Sequence, residues 1–465
     1  MSLYLKDDVI LKVENGKPVL MRKGGPVHIL HPVSALTLAL LHETESEEEV
    51  AEAISFILDL SRERGKDIVE TVKYRYKPFL TEERPMVNRY IDPSDFILPP
   101  SPPPGRFSAP VGMNWIVTRY CNRRCIYCSA GARWGESAAD ASLRLERFKE
   151  IIDEAVDIGV RNFLFTGGEP FLRPDINGAI KYAVEKGLEV IISTKAFLSR
   201  RQIESLKGVK LIQVSLDSPA PETADKLTGS PGFYEEVIST LKALIEAELP
   251  VQIAGVLTSI NHRHLDGLIK LAHQLGIRRV LLTRYVRTLG RHDPNLFITD
   301  EEWEWAYERA MEAAERRDLE VIMDPQEGVN EGFSTMIGEK LAKGDILCAV
   351  GRRVLSFRWD GKVPWCEQLS SAKEMITGDL SVQGIIEVWK SERLLSLVFP
   401  AIERYKGTPC YGCPNFDSCL LKSGCYFSSI LAYGSPFKPP PFYARLCPRY
   451  EGRDNYIPFW HRPAS

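Results

Sequence analysis

The sequence predicts an α/β protein. A partial (β/α)6 TIM-like barrel forms the core, preceded by a small N-terminal α+β winged-helix-like domain and followed by an irregular cysteine-rich C-terminal domain. Three observations predict this. Between Met113 and about Gly290, short apolar runs suited to buried strands alternate with amphipathic helical segments. The tract Ile97-Leu98-Pro99-Pro100-Ser101-Pro102-Pro103-Pro104-Gly105 sets this region apart from a shorter N-terminal module, because its prolines favour a stiff extended spacer. The 10 cysteines fall in two groups, one at 121–128 and the other between 348 and 447.

Bulk properties bound the possibilities. A chain of 465 residues has room for two to four domains. Composition is that of an ordinary globular protein, with 44% apolar and 26% charged residues. A formal charge of −3 gives no general case for nucleic-acid binding. No run of about 18 apolar residues suggests a membrane span. Met1-Ser2-Leu3-Tyr4-Leu5-Lys6-Asp7-Asp8 is not a signal peptide, so a cytoplasmic location is expected. Clustered cysteines in such a chain point to metal rather than disulfides.

In chain order, Val9–Val13 and Lys17–Met21 read as strands around an Asn15-Gly16 turn, a strong hairpin signal. Pro26–Leu30 reads as a third, edge strand. A helix is expected from Val33 to His42, and another from Ser46, where Glu49 offers a capping box. In the core, strands are expected at 113–118, 161–165, 188–193, 209–215, 250–257 and 278–283. The helices between them include one with Leu145, Phe148, Ile152 and Ala155 on a face, and another with Leu265, Leu268, Ile269 and Ala272. Alternation of this kind means parallel β/α units, closed into a partial barrel or laid out as an open doubly wound sheet. Either way the site lies at the C-terminal strand ends. A helix from Asp300 to about Arg317 and a short strand Leu319–Met323 bridge to the C-terminal region, which carries a hairpin turning at Asp360-Gly361.

The chemistry-bearing residues fall at the predicted strand ends. Cys121, Cys125 and Cys128 form a C-x3-C-x2-C loop after the first strand. Three thiols this close suit an iron–sulfur site, and they leave a four-iron cluster one ligand short. Tyr127 is placed to stack on a nucleobase. Thr166-Gly167-Gly168-Glu169-Pro170 ends the second strand, its glycines permitting close backbone approach to a ligand and Glu169 suited to an ammonium. Ser193 and Thr194 end the third strand, Ser215 and Asp217 the fourth. His262 and His264 are expected on a solvated helix start, and Arg284, Arg287 and Arg291, which cluster after the sixth strand, on a solvated face.

This region, about 113–290, resembles the radical S-adenosylmethionine superfamily. The resemblance implies that Cys121, Cys125 and Cys128 hold a [4Fe-4S] cluster whose open iron is chelated by S-adenosylmethionine. It implies that Gly167, Gly168 and Glu169 bind the amino group, and that Ser193, Ser215 and Asp217 hold the ribose or carboxylate. The third strand of that family often ends Ser/Thr-Thr-Asn-Gly; here it reads Ser193-Thr194-Lys195-Ala196, which leaves Lys195 without a role.

Cys348, Gly361-x4-Cys366, Cys410-x2-Cys413-x5-Cys419-x5-Cys425 and Cys447 resemble the auxiliary-cluster (SPASM) extension of peptide-modifying radical enzymes. The departure is five residues instead of three before Cys425. The resemblance implies two further [4Fe-4S] clusters, a distal one on Cys410, Cys413, Cys419 and Cys447 and a proximal one on Cys348, Cys366 and Cys425. Seven thiols leave the proximal cluster a vacancy, suited to a substrate thiolate. Glu367 stands where sulfatase-maturing relatives carry a catalytic acidic residue. The N-terminal module resembles the peptide-recognition domain of the pyrroloquinoline quinone chaperone, which binds a leader peptide at a sheet edge.

These resemblances imply residues 1–88 as a leader-peptide recognition domain, 89–111 as linker and 112–295 as the radical core. They imply 296–345 as a bridge, 346–450 as the auxiliary iron–sulfur domain and 451–465 as a tail. The implied activity is oxidative cross-linking of a ribosomally made precursor peptide. A thioether is the first choice and a carbon–carbon or carbon–oxygen link the second. A flavodoxin or ferredoxin serves as reductant. The competing readings are sulfatase-type protein maturation, cofactor or haem-precursor modification, and a non-catalytic iron–sulfur electron carrier.

Overall fold

A computed structural model describes residues 3–14, 17–86, 91–97, 106–134, 143–286, 292–324, 348–370, 372–417, 419, 425–438 and 449. Cys447 and the Asn15-Gly16 turn lie outside these residues. After a two-residue strand at Tyr4–Leu5, which pairs with Leu80–Thr81, come three antiparallel strands: β1 (Val9–Glu14), β2 (Lys17–Arg22) and β3 (Val27–Ile29). Glu14 pairs with Lys17 across a two-residue connection, the spacing an Asn-Gly turn requires. Both faces of β1 are used. Val9, Leu11 and Val13 enter the core of this unit, while Ile10 and Lys12 turn the other way.

Helices α1 (Pro32–Glu43), α2 (Glu47–Ile57) and α3 (Arg62–Tyr76) complete the unit. Ser46 caps α2 by accepting from the Glu49 backbone. The sequence reading did not anticipate α3. Its charged run RERGKDIVETVKYRY buries only Gly65, Val69 and Val72, too sparse a stripe to stand out. Gly65 lets α3 cross α2 closely: a Cβ there would lie 2.1 Å from the Ser55 hydroxyl and 2.5 Å from the Ala51 carbonyl oxygen.

The core is one sheet of eight parallel strands. In chain order they are β4 (Gly112–Ile116), β5 (Asn162–Thr166), β6 (Glu189–Thr194), β7 (Leu211–Ser215), β8 (Val251–Leu257), β9 (Arg279–Arg284), β10 (Glu320–Asp324) and β11 (Val354–Arg358). The spatial order is β10-β9-β8-β7-β6-β5-β4-β11, and every neighbouring pair is parallel. The six strands expected from the sequence are β4 to β9. The bridging segment and the C-terminal region each add one strand at an edge.

Helices cover the sheet: α4 (Leu145–Asp157), α5 (Ile176–Glu185), α6 (Pro221–Thr228), α7 (Phe233–Glu246), α8 (Leu265–Gln274) and α9 (Asp300–Glu315). The predicted α4 face is buried at Phe148, Ile152 and Ala155. Phe148 stacks on Trp115 of β4 at 4.2 Å, and Trp115 lies 5.7 Å from Phe357 of β11. Aromatic stacks of this kind contribute about 0.5–1.5 kcal/mol beyond area burial, and this one fastens the C-terminal region's strand to the core.

The Asp360-Gly361 turn does not close a hairpin. It leads from β11, paired with β4, into β12 (Lys362–Pro364), whose partner is β13 (Ile376–Asp379). Burial decides this. The middle of the Val354–Arg358 run is buried where it pairs with β4 at the edge of the large sheet, a signal that a turn motif alone does not carry. Helix α10 (Ile385–Trp389) follows, and Glu154 of α4 accepts from the backbone N–H groups of Ile385 and Ile386 at its start. Among the described residues no helix is long and apolar enough to cross a membrane.

Candidate active site

The C-terminal ends of the strands surround a cavity of about 280 Å³. Cys121, Cys125 and Cys128 border it on one side, Gly167, Gly168 and Glu169 on another, and Ser193, Lys195 and Ser215 on a third. Cys121 and Cys125 are buried and Cys128 half-buried. Burial pushes the Cys121 thiol up to about 12 and raises Cys125 as well. As thiolates they therefore need positive charge nearby, which an iron–sulfur cluster supplies.

The two glycines follow from local backbone geometry. Gly167 has φ +136°, and a Cβ on it would lie 2.7 Å from the Thr118 carbonyl oxygen. A Cβ on Gly168 would lie 1.8 Å from the carbonyl oxygen of Tyr120. The Gly168 and Glu169 N–H groups donate to Thr118 and Tyr120, each at 2.8 Å. So the glycines first serve the approach of the second strand end to the cysteine loop, and both still border the cavity.

Glu169 is buried, and both its carboxylate oxygens are engaged. One accepts from the Thr194 hydroxyl at 2.7 Å and the Phe171 N–H at 3.1 Å, the other from the Lys195 N–H at 2.8 Å. Burial raises its pKa, opposed by these donors. Asp217 is 2% exposed and lies beneath the cavity rather than in its wall. It accepts from the Val256 N–H at 2.9 Å and from the Tyr127 hydroxyl. Lys195 completes the group, its ammonium 2.8 Å from the Tyr127 oxygen and 3.4 Å from Asp217. Burial works against that ammonium, but Asp217 and the neighbouring thiol sites outweigh it, and the Lys195 pKa is raised. Burial in turn raises the Tyr127 phenol. The contacts Lys195 makes with residues 68 and 22 positions away in the chain carry no local sequence signal. Ser193 donates to Gln213 at 3.0 Å.

A second cavity of about 430 Å³ adjoins the first and shares Thr166, Gly167, Gly168 and Gln368 with it. Glu367 borders it. Its carboxylate accepts from Asn114 and, at 3.3 Å, from the Ser356 hydroxyl, and burial raises its pKa against these donors. Two expectations change. His262 is buried, not solvated, with Nδ1 3.2 Å from the Thr258 carbonyl oxygen. Arg284 is also buried, donating to Asp300 at 2.8 Å and to the Ile298 carbonyl at 2.6 Å, so it anchors α9. Arg287 and Arg291 lie outside the described residues.

Six of the C-terminal cysteines are described, all half-buried and none in a disulfide. Cys348 and Cys366 lie within electrostatic reach of each other, and burial pushes the Cys366 thiol up to about 12. Cys410 and Cys419 lie near buried Tyr405, while Tyr426, next to Cys425, packs on Trp365 at 4.4 Å. Among the described residues no three His, Cys, Asp or Glu converge on a single ion. The buried thiols beside glycine-bordered space suit a cluster, whose thiolates bind separate irons and stand further apart.

Comparison with known proteins identifies two domains in this geometry. The model of the radical SAM superfamily matches residues 115–275, and that of the SPASM iron–sulfur cluster-binding domain matches 348–414. An AdoMet-dependent heme synthase of Methanosarcina barkeri is 27% identical over 72% of this chain and 96% of its own length. A PqqA peptide cyclase of Granulibacter bethesdensis is 26% identical over 65% of this chain and 79% of its own. Streptococcus suis SuiB, in a crystal structure with its precursor peptide SuiA, superposes with a TM-score of 0.66 at 16% identity, covering 94% of this chain and 98% of that one. With the strand-end cavity, the cysteine loop and both domain matches in place, the chain is an enzyme with a radical SAM domain followed by a C-terminal SPASM domain.

Proposed function

We propose that the enzyme oxidatively cross-links a ribosomally synthesised precursor peptide, forming a thioether or, second, a carbon–carbon or carbon–oxygen bond. The observation that carries this reading is the join of a radical SAM core and a SPASM domain to a separate N-terminal α+β unit, an arrangement superposing on nearly all of peptide-bound SuiB. The N-terminal unit has the means to take a leader. Among the described residues strand β3 pairs on one side only, and Val27 and Ile29 are 41% and 67% exposed, so a peptide strand can extend the sheet there.

Cys121, Cys125 and Cys128 hold the core cluster. When bound, that cluster supplies the electron that cleaves S-adenosylmethionine to a 5′-deoxyadenosyl radical, the species that removes a substrate hydrogen. The chain's own residues prepare the site. The Arg123 N–H donates to the Cys121 sulfur at 3.3 Å, favouring the thiolate. Gly167 and Gly168 receive the methionyl amine through their backbone, and Glu169 fixes Thr194 and Lys195 around it. Ser193 and Ser215 receive the ribose or carboxylate, and Asp217 supports them from beneath by holding Tyr127. The Tyr127 ring borders the cavity where a nucleobase would stack.

Cys410, Cys413, Cys419 and Cys447 hold a distal auxiliary cluster, and Cys348, Cys366 and Cys425 a proximal one with an iron left for a substrate thiolate. Glu367 takes a substrate proton. A flavodoxin or ferredoxin in the cytoplasm provides reducing equivalents. The test is deletion of residues 1–88. Turnover of a leader-bearing peptide should fall sharply while a leader-free core peptide reacts as before; unchanged turnover would remove leader recognition from the proposal.

A second reading has its own support. The heme synthase relative aligns over almost its full length. Haem-precursor modification would need no N-terminal unit, so the same truncated enzyme would keep full activity on a porphyrin substrate.

A further inference from the structure

The second cavity has a charge pattern that neither cluster binding nor S-adenosylmethionine binding uses. Its charged lining residues, among those described, are Arg119, Arg133, Arg358, Lys373 and Glu367. Four are cations from separated parts of the chain: Arg119 and Arg133 flank the cysteine loop, Arg358 ends β11, and Lys373 follows the Cys366 segment. Arg358 is compensated by Asp360, with oxygens at 3.1 and 2.5 Å, and donates to the Ser370 carbonyl at 2.7 Å. Glu367 brings the one negative charge among the described lining residues, and its carboxylate also accepts from Asn114 and Ser356. Arg119 lies between the rings of Tyr120 and Trp359, at 5.4 and 5.8 Å. Arg133 and Lys373 are exposed at the rim.

A concave site with this imbalance concentrates anions. Arginine's planar donor fork suits a carboxylate. The shared Thr166–Gly168 border puts any occupant directly beside the S-adenosylmethionine cavity.

Building on the proposed peptide reaction, we infer that the group presented to the radical lies next to a carboxylate, which Arg119, Arg133 and Lys373 hold in the second cavity. The carboxylate is a glutamate or aspartate side chain or the C-terminal end of the substrate. Lysine-bearing segments are disfavoured at the same place by like charge.

The inference is tested on the full-length, cluster-loaded enzyme with S-adenosylmethionine present, by equilibrium dialysis at low ionic strength. The probes are acetyl-Ala-Glu-Ala-amide, its Gln and Lys counterparts, acetyl-Ala-Ala-Ala with a free C-terminal carboxylate, and glutarate. The Glu peptide should bind at least about tenfold more tightly than the Gln peptide, the scale of a charge-assisted contact, and the Lys peptide most weakly. The double variant R133Q/K373Q should shrink the Glu–Gln difference, and R133E/K373E should abolish it. Equal retention of the Glu and free-acid peptides would assign the charge to either source, whereas a preference for one names it. Glutarate bound without the Glu peptide would keep the carboxylate site and remove the peptide reading. Equal binding of Glu and Gln peptides, tighter binding of the Lys peptide, or retention of no probe would overturn the inference.

Discussion

At the scale of single residues, the site rests on close backbone contacts and one buried polar group. Gly168 has no room for a side chain beside the Tyr120 carbonyl. The G168A variant should lose about 3 kcal/mol of stability, at the upper end for overpacking, and fail to retain the core cluster, read by iron content and thermal melting. Gly187, with φ +84° and open space around it, is the control; G187A should cost only the left-handed backbone penalty of about 1 kcal/mol. Lys195 gives the second residue-level prediction. Its removal in K195M leaves Asp217 buried without its cation, expected to cost about 3–5 kcal/mol. The double variant K195M/D217N should recover much of that loss, and additive losses in the melting temperatures would count against a coupled pair. The cysteine spacing and Gly167–Glu169 were legible in the sequence because each is a short local run. The Lys195–Tyr127–Asp217 group was not, since it forms only when three strand ends converge.

Among elements, the informative contacts join separate parts of the chain. The Ile10 and Lys12 face of β1, turned away from its own core, meets the turn between α4 and β5. Lys12 is buried there, 3.0 Å from Glu14, and Arg161 pairs with the same glutamate. Burial lowers the Lys12 pKa below its ordinary 10.5, against the pull of Glu14. Between the folded and unfolded pKa values the unfolded chain binds more protons at Lys12, so this group's contribution to stability rises with pH up to about 10.5. The melting temperature of the wild type relative to K12M should therefore rise as the pH approaches 10.5, and a falling difference would contradict the burial account. Element existence was well predicted for β4 to β9, where apolar runs alternate with amphipathic helices. The exceptions have physical causes. The polar α3 lacks a strong stripe, and the Asp360-Gly361 turn suits a hairpin although its flanking strands belong to different sheets.

For the whole molecule, one parallel sheet links the radical SAM core to its C-terminal extension through β11, and the N-terminal unit docks on the outside through β1. The cysteine loop, the Gly167–Glu169 turn and the serines at the third and fourth strand ends face one cavity because parallel strands send their C-terminal ends to the same side. The most direct test of the central claim is 5′-deoxyadenosine formation by the reconstituted, chemically reduced enzyme given S-adenosylmethionine, compared with the C121A/C125A/C128A variant. The wild type should form 5′-deoxyadenosine. The variant should form none while retaining the iron of the auxiliary clusters. A fully loaded wild type that forms none, or a variant that forms as much, would contradict the assignment of this cavity as the radical-generating site.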